Sequence, residues 1–351
     1  MEYNLQKFIF DNYKIMIRDI NILTGGWMNK KYLCYDNNNN KYVIKLFSPK
    51  KVEKMSKGEF SNDYLDNQLV YNLKIENYMY DNNLNCEYIN ISKNNKILLT
   101  YNEYRLALIN FLNGNIVFRK DINNIQLYNL GKECAKMHIL FKKANKKIYT
   151  GDYLKVPSLE NLFSRYEEKK KMCTKNTNQQ YLDLLIKQKE DLMLLNKTGI
   201  INEIPISVTH GDFAADNIIF ENNIPKILDF ELVRLNSYLL DIGRIIMCYC
   251  YENHSIDYYK MINFINGYND IYTLTDKDIF LAFITVWINE VDMWIKENYF
   301  DKEITPKSKR FQDEIIYLTY SLPNLIKHYT SNRSLIDYCF NYNINKRKIL
   351  K

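Results

Sequence analysis

Apolar residues recur every three or four positions in several long stretches of the chain, which is the spacing of one face of an α-helix. The clearest stripe lies within residues 124–144 and consists of Leu127, Leu130, Cys134, Met137 and Phe141. The same spacing predicts helices over residues 1–18, 67–80, 159–172 and 180–196. An apolar helix is expected to begin at Asp241, and Thr275-Asp-Lys-Asp278 has the pattern of a capping box for a helix from Ile279 onward.

Other apolar stretches are short and end at Asn, Gly or Pro, as antiparallel strands do. Residues 20–35 predict a strand, a glycine turn and a second strand, and residues 41–47 predict a third. Further strands are expected over 86–91, 97–100 and 104–111. A late hairpin is predicted with strands 218–220 and 226–228 around a turn at 221–225.

The composition is typical of a globular protein and gives no indication of a nucleic-acid or membrane partner. With 351 residues, 46% hydrophobic and 25% charged, the chain can bury a large core. Its net charge of +7 is mild and its lysines are spread along the chain, so nucleic-acid binding is not expected. The seven cysteines form no Cys-x-x-Cys pair, which is typical of reduced thiols in a cytoplasmic protein. No signal segment or membrane-length apolar run is visible, so no membrane partner is expected.

The candidate chemistry lies at the mouth of the late hairpin. Asp212 follows His210 and Gly211, so that a turn can aim its carboxylate into a cleft, and Asn217 and Asp229 flank the two strands. Two carboxylates and an amide suit Mg²⁺, which takes few protein ligands and completes its shell with phosphates and water. The sequence therefore predicts a magnesium–phosphate site.

The spacing from Asp212 to Asn217, followed by a strand, a turn and Asp229-Phe-Glu231, resembles the layout of protein-kinase-like phosphotransferases. The His210-Gly-Asp212 sequence is similar to that of the aminoglycoside phosphotransferase and choline/homoserine kinase branch. The resemblance implies an α+β, bilobal protein-kinase-like fold. Its small antiparallel-sheet N-lobe would span residues 1–113, and its large, mainly helical C-lobe residues 114–351.

The resemblance also implies a set of ATP-binding residues. Lys45 would hold the α and β phosphates, although a lysine in a strand is more commonly exposed to solvent. Glu76 would fix that lysine, with Glu59 as the alternative glutamate. The nucleotide loop would contain Gly25, Gly26 and Asn29, and the alternative for its two glycines is an ordinary hairpin turn.

The adenine-binding hinge is expected to include Asn110 and Phe111. Asp241 would brace the catalytic loop, His210 would fix its turn, and His138 is interpreted as a packed core histidine. The far end of the last predicted helix carries an acidic and aromatic mixture, namely Glu290, Asp292, Trp294 and Glu297. These residues form either a half-exposed helix face or a pocket for a cationic acceptor.

The sequence is thus interpreted as an ATP-dependent kinase that uses Mg²⁺ and phosphorylates a small-molecule hydroxyl acceptor, either an aminoglycoside or a small metabolite. Asp212 would act on the acceptor hydroxyl, and Asn217 and Asp229 would bind the metal. The alternative is a non-catalytic kinase-like structural protein, such as a spore-coat protein. A protein-kinase activity is disfavoured, because Glu231 replaces the expected glycine and no Ala-Pro-Glu segment follows.

Overall fold

The computed structural model describes residues 2–23, 29–48, 62–144, 156–301, 303–336 and 338. These residues form two compact units. Unit 1 comprises the described residues of Met1–Ile116, Lys143–Gly151 and Asn217–Val233, and unit 2 those of Val117–Lys142, Asp152–Asp216 and Arg234–Lys351. Unit 1 is therefore discontinuous along the chain. A lobe boundary at 113–114 stays a prediction.

The described helices and strands are as follows. The helices are α1 (Glu2–Tyr13), α2 (Asn62–Asp81), α3 (Asn124–Ala144), α4 (Leu159–Met172), α5 (Gln179–Thr198), α6 (Tyr238–Cys250), α7 (Tyr258–Asn269), α8 (Asp276–Trp294), α9 (Asn298–Asp301) and α10 (Pro306–Thr330). The strands are β1 (Ile17–Leu23), β2 (Lys30–Asp36), β3 (Lys41–Phe47), β4 (Leu99–Tyr101), β5 (Tyr104–Asn110), β6 (Asn115–Ile116), β7 (Ser207–Thr209), β8 (Ile218–Glu221), β9 (Ile224–Ile227), β10 (Arg234–Asn236), β11 (Tyr251–Glu252) and β12 (Ser255–Ile256).

Unit 1 is built on an antiparallel sheet with the strand order β1-β2-β3-β5-β4. Side chains alternate between its faces. On β3, Ile44 and Leu46 pack with Leu5 and Ile9 of α1, whereas Val43 and Phe47 pack on the opposite face with residues that include Leu73 of α2. Because both faces are covered, β3 is an almost unbroken apolar run, as in its sequence. Lys45 points to the same face as Val43 and Phe47.

The hairpin β8–β9 belongs to a second antiparallel sheet, with the order β6-β8-β9. Its turn is shorter than predicted. It consists of Asn222 and Asn223, with Asn222 at a φ of 56°, and Pro225 lies inside β9 opposite Phe220. The N–H of Ile227 donates to Asn85 O, away from β8, and the nitrogen of Pro225, two residues earlier, faces the same side. The proline therefore removes no hydrogen bond from the hairpin.

Two further expectations about local structure are wrong in unit 1. The first helix ends at Tyr13, because Lys14 takes a left-handed φ of 61°, and a strand begins at Ile17. Residues 86–91 form isolated bridges at Cys86 and Ile89 instead of a strand. The predicted strands 41–47 and 104–111 and the helix 124–144 are confirmed, the second of them shortened by one residue.

Unit 2 is mainly helical, and α8 lies in its core, where it packs against α6 and α10. The capping box of Thr275 and Asp278 is present as predicted. Gly243 of α6 lies so close to α8 that an added Cβ would be 2.5 Å from Ala282 O. This glycine therefore sets the approach of α6 to α8. Among the described helices, none is long and apolar enough to span a bilayer.

Candidate active site

The strongest polar feature of unit 1 is the buried amine of Lys45. Its residue is only 3% exposed, so the alternative of a solvent-facing lysine is excluded. Its Nζ pairs with Asp229 and lies 2.8 Å from Glu231 Oε2. A buried ammonium requires such compensation, since burying a charge without a partner is strongly unfavourable.

Asp229 is held in an uncommon backbone conformation at the end of the β8–β9 hairpin. Its φ of 66° and ψ of 58° are left-handed, which Asp adopts more readily than most residues. Its N–H donates to Glu87 Oε2 at 3.0 Å, and Lys31 Nζ lies 3.0 Å from its Oδ2. Two lysines thus converge on one carboxylate, and Glu87 fixes the backbone behind it.

Glu231 contacts three parts of unit 1, which are Asn29 just before β2, Lys45 on β3 and Asn72 on α2. Its two carboxylate oxygens lie 3.0 and 2.9 Å from Asn29 Nδ2, and its carbonyl accepts from Asn72 Nδ2 at 2.6 Å. Asn29, predicted in the nucleotide loop, is therefore anchored to the Asp229-Phe-Glu231 segment. Gly25, Gly26 and the alternative glutamate Glu59 lie outside the described residues.

Glu76 does not form the expected direct ion pair with Lys45, which contacts Asp229 and Glu231 instead. Glu76 is 2% exposed. Burial, followed by the charge of Glu87, raises the pKa of Glu76 well above its usual value, and the charge of Lys45 acts in the opposite direction. Glu76 thus lies in the electrostatic environment of Lys45, and its role in nucleotide binding stays a prediction.

Asn217 and Asp229 lie at adjacent ends of the β8–β9 hairpin. Asn217 ends a 3₁₀ turn, and its carbonyl accepts the N–H of Leu228 at 2.9 Å. The next pair in register is Ile218 with Ile227. This local pairing brings the backbone of Asn217 beside the residue that precedes Asp229.

The surroundings of Asp229 fit a divalent cation. The lysine–carboxylate cluster contains four carboxylates and two ammonium groups, those of Glu76, Glu87, Asp229, Glu231, Lys31 and Lys45. Burial raises the pKa of Glu76, and with Glu76 protonated the other three carboxylates exceed the two ammonium groups by one negative charge, which attracts a cation. In the described part of the chain, no group of three or more His, Cys, Asp or Glu could hold a metal ion alone. Mg²⁺ needs only one or two carboxylates when phosphates and water complete its shell.

The predicted hinge residues lie at the end of β5. The N–H of Asn110 donates to Tyr88 O at 2.9 Å, and the N–H of Phe111 donates to Lys41 O at 3.2 Å. Both N–H groups are therefore engaged within unit 1. Adenine contacts by these two residues, which stay a prediction, would have to use their carbonyls or side chains.

In unit 2, Asp241 braces the loop that carries Asp212, as expected. Its carboxylate accepts the N–H of His210 at 2.8 Å and that of Gly211 at 3.3 Å, and Gly211 has a φ of 80°. His138 Nε2 donates to it at 3.2 Å. Burial alone would raise the pKa of Asp241, but its hydrogen bond with His138 and the charge of that ring hold the pKa below its usual value. The N–H of Asp212 donates to His210 Nδ1 at 3.3 Å, so His210 fixes the turn.

The carboxylate of Asp212 has a cationic partner that was not predicted. Arg244 Nη2 lies 3.0 Å from Asp212 Oδ1, and Arg244 Nε lies 3.3 Å from Glu290 Oε1. Burial by itself lowers the pKa of Arg244, but the charges of Glu290 and Asp212 raise it above its ordinary value. Arg244 therefore stays charged between two carboxylates.

The acidic and aromatic residues near the end of α8 are paired internally. Glu290 Oε2 accepts from Trp294 Nε1 at 3.0 Å, and Asp292 Oδ1 lies 2.7 Å from Lys169 Nζ. Glu297 Oε1 accepts from Thr177 Oγ1 at 2.8 Å. These contacts favour a structural role over a pocket for a cationic acceptor.

Sequence reasoning missed four functional candidates, which are Lys31, Glu87, Glu231 and Arg244. Lys31 is the cross-strand partner of Lys45, which only the strand register reveals. Glu87 precedes Asp229 by 142 residues, and no local pattern connects them. Glu231 could have been found, since it stands in the Asp-Phe-Glu sequence itself.

Comparisons with known proteins agree with this geometry. A profile of the phosphotransferase enzyme family matches residues 19–264. A sequence comparison with curated proteins gives no significant match. Among solved structures, amicoumacin kinase hAmiN is 13% identical with a TM-score of 0.63, and the match covers 92% of this chain and 93% of that one.

Two other structures are similar over almost their full length. Spectinomycin phosphotransferase APH(9)-Ia is 12% identical with a TM-score of 0.58, over 92% of this chain and 98% of that one. Choline kinase from Cryptosporidium parvum Iowa II is 14% identical with a TM-score of 0.58, over 96% and 97%. At such identities the likeness shows the fold alone, and it confirms the predicted kinase-like class, with an antiparallel-sheet lobe and a helical lobe. Since the family profile spans more than half of the chain, the protein belongs to the phosphotransferase enzyme family.

Proposed function

We propose that this phosphotransferase is an ATP-dependent small-molecule kinase. It transfers the γ-phosphoryl group of ATP to a hydroxyl group of an aminoglycoside or of a small hydroxylated metabolite. The observation that carries the proposal is the buried Lys45 amine paired with Asp229 and Glu231. A buried lysine against two carboxylates is a costly arrangement for stability alone, whereas a phosphate site needs both a cation and a metal-binding carboxylate.

The proposed roles follow from the chemistry of each side chain. Lys45 orients the α and β phosphates of ATP, and Lys31, beside it on β2, offers a second ammonium group. Asn217 and Asp229 would hold Mg²⁺ through their side-chain oxygens. When bound, Mg²⁺ neutralises charge that develops on the phosphate oxygens.

Asp212 is proposed to orient the acceptor hydroxyl and accept its proton. The acceptor oxygen forms a bond to the γ-phosphorus, the bond from that phosphorus to the β–γ bridging oxygen breaks, and ADP leaves with the bonding electrons. Since the transition state is loose, most of the rate enhancement comes from positioning and charge stabilisation. Loss of the Asp212 carboxylate should therefore affect turnover more than ATP binding.

Related structures support nucleotide use and a small acceptor. The spectinomycin phosphotransferase was solved with ADP and spectinomycin, and amicoumacin kinase with AMP-PNP, Ca²⁺ and the compound Ami. The choline kinase, as its name states, acts on a small amino alcohol. A cytoplasmic location, where ATP is abundant and thiols are reduced, completes the proposal.

The test is a coupled ADP-release assay with Mg²⁺-ATP against aminoglycosides, choline, homoserine and other small alcohols. The Asp212→Ala variant is the control. Acceptor-dependent ADP release that is lost in the variant is the expected result. No turnover with any acceptor, together with no thermal shift by Mg²⁺-ATP, would reject the kinase and favour the structural alternative.

A further inference from the structure

We propose that Arg244 is the positioning residue for Asp212, and that Glu290 holds Arg244 in place for that task. This inference rests on the proposed kinase function, because it assigns Arg244 a role through the Asp212 carboxylate. It concerns unit 2 alone, where all three residues lie. The three side chains form the chain Asp212–Arg244–Glu290.

The Asp212 carboxylate is partly exposed, so its orientation depends on the groups that contact it. It is 40% exposed and stands on a loop, and its backbone N–H is bound to His210. Asp241 fixes the backbone of this loop but not the Asp212 carboxylate. The charge-assisted contact of 3.0 Å from Arg244 restricts the orientation of that carboxylate.

Arg244 is largely buried and is held on both sides by carboxylates. Its side chain is 15% exposed, and it also contacts Glu290, whose side chain is 8% exposed. The second oxygen of Glu290 accepts from Trp294 of the same helix. The close approach of α6 to α8 at Gly243 keeps the helices of Arg244 and Glu290 together. The buried Arg244 guanidinium can therefore hold the partly exposed Asp212 carboxylate in one orientation.

Arg244 also affects the proton affinity of Asp212. A cation in contact with a carboxylate favours its ionised form, so Arg244 keeps Asp212 ready to accept a hydroxyl hydrogen bond. Glu290 offsets part of the Arg244 charge and limits this effect. Cys248, Asp241 and Arg234 also interact electrostatically with Arg244, and Arg234 interacts in addition with Asp212 and Glu290.

The experiment measures kcat, KM and the pH profile of kcat for Arg244→Met, Arg244→Lys and Glu290→Gln. Arg244→Met should lower kcat about 100-fold, the size of a misplacement effect, with little change in KM for ATP. The acidic limb of its profile should move to higher pH, because Asp212 loses its cation. Arg244→Lys should return the acidic limb to its wild-type pH and restore part of kcat. Glu290→Gln should move the limb to lower pH, because the Arg244 charge is no longer offset.

The control is Arg165→Gln, which removes a more exposed arginine of unit 2 that lies 3.7 Å from Asp292. It should leave kcat and the pH profile unchanged. A purely structural role of Arg244 predicts a lower kcat with an unshifted acidic limb, and that result would overturn the proposal.

Failure of the kinase function itself is distinguishable. Absence of turnover in the wild type with every acceptor would reject that function and, with it, the positioning role of Arg244. A double-mutant cycle then tests the contact between Asp212 and Arg244 separately. It compares the Tm values of Asp212→Asn, Arg244→Met and the double variant. Non-additive changes in Tm support the pair, and additive changes overturn it.

Discussion

Asp229 has a left-handed backbone conformation and a carboxylate that contacts two lysine side chains. The left-handed conformation suits Asp and Asn, and a β-branched residue there would be strained. Its two oxygens are each in contact with a lysine amine. The backbone requirement and the charge requirement can therefore be separated by replacing the carboxylate with an amide.

Asp229→Asn is expected to fold but to lose metal-dependent nucleotide binding. The amide keeps the left-handed backbone and removes the charge that Mg²⁺ needs. Wild-type protein at 100 times the Kd of Mg²⁺-AMP-PNP should be stabilised by about 2.7 kcal/mol, seen as a rise in Tm. The variant should show almost no rise. Asp66→Asn, which removes the ion pair with Arg105 in the same unit, is the matched control and should keep the full shift.

Glu314 provides a test of pH dependence in unit 2. Burial raises its pKa from 4.5 to about 7, although Arg119 and Arg310 oppose the change. A carboxyl with a raised folded-state pKa binds more protons in the folded than in the unfolded protein. Its contribution to stability is therefore greatest below pH 4.5 and declines as the pH rises to about 7.

Replacing Glu314 with Gln should remove this part of the pH dependence. Relative to the variant, the wild type should lose up to about 3 kcal/mol of unfolding free energy between pH 4.5 and 7. Urea unfolding at pH 5 and pH 7.5 measures the difference. Asp313→Asn changes a more exposed neighbour, paired with Lys309, and should leave the pH dependence intact. An equal pH dependence in wild type and Glu314→Gln would contradict the assignment.

At the scale of elements, hydrophobic spacing predicted the long helices and central strands because burial on regular faces leaves a regular pattern. Hydrophobic spacing failed where the backbone conformation of a single residue determines where an element ends. Lys14 ends α1 through a left-handed φ, and Asn222 closes the hairpin early. Pro225 was assigned to the turn, but its nitrogen faces away from β8. Hydrogen-bond direction of this kind cannot be read from residue type.

The contact between α6 and α8 is an element-scale feature that determines the surroundings of Arg244. Gly243→Ala would place a methyl group 2.5 Å from Ala282 O and against Val286. The helices would have to separate, at a cost of roughly 1–3 kcal/mol. We expect a lower Tm together with a lower kcat, because α8 carries Glu290.

The comparison for this prediction is Gly199→Ala. Gly199 has a φ of 65°, and an added Cβ would make only an ordinary van der Waals contact, at 3.9 Å, with Asn202 Nδ2. Its replacement should cost about 1 kcal/mol through backbone strain alone. It should lower Tm without changing kcat. If Gly243→Ala keeps normal kcat at temperatures where it is folded, the link between helix spacing and the Asp212 site is wrong.

At the scale of the whole molecule, sequence reasoning identified the motif residues but not how they are connected. Lys45 and the Asp229-Phe-Glu231 segment belong to one compact unit, although unit 2 elements lie between them in sequence. Lys45 contacts Asp229 and Glu231 directly. Asn29, Asn72 and Glu87 hold the Asp229-Phe-Glu231 segment in place through hydrogen bonds. Such long-range pairings depend on the register of strands and on loop closure, which leave no local pattern.

This discontinuity gives a prediction for hydrogen–deuterium exchange. Mg²⁺-AMP-PNP should slow exchange in residues 41–47 and 217–233 together, because both segments hold the proposed phosphate and metal ligands in unit 1. Residues 159–198, which form α4 and α5 of unit 2, should change little. Asp212→Asn should keep this protection, whereas Asp229→Asn should lose it in both segments. Protection of residues 41–47 alone would show that Lys45 and Asp229 do not bind the nucleotide together. That result would contradict the proposed kinase function.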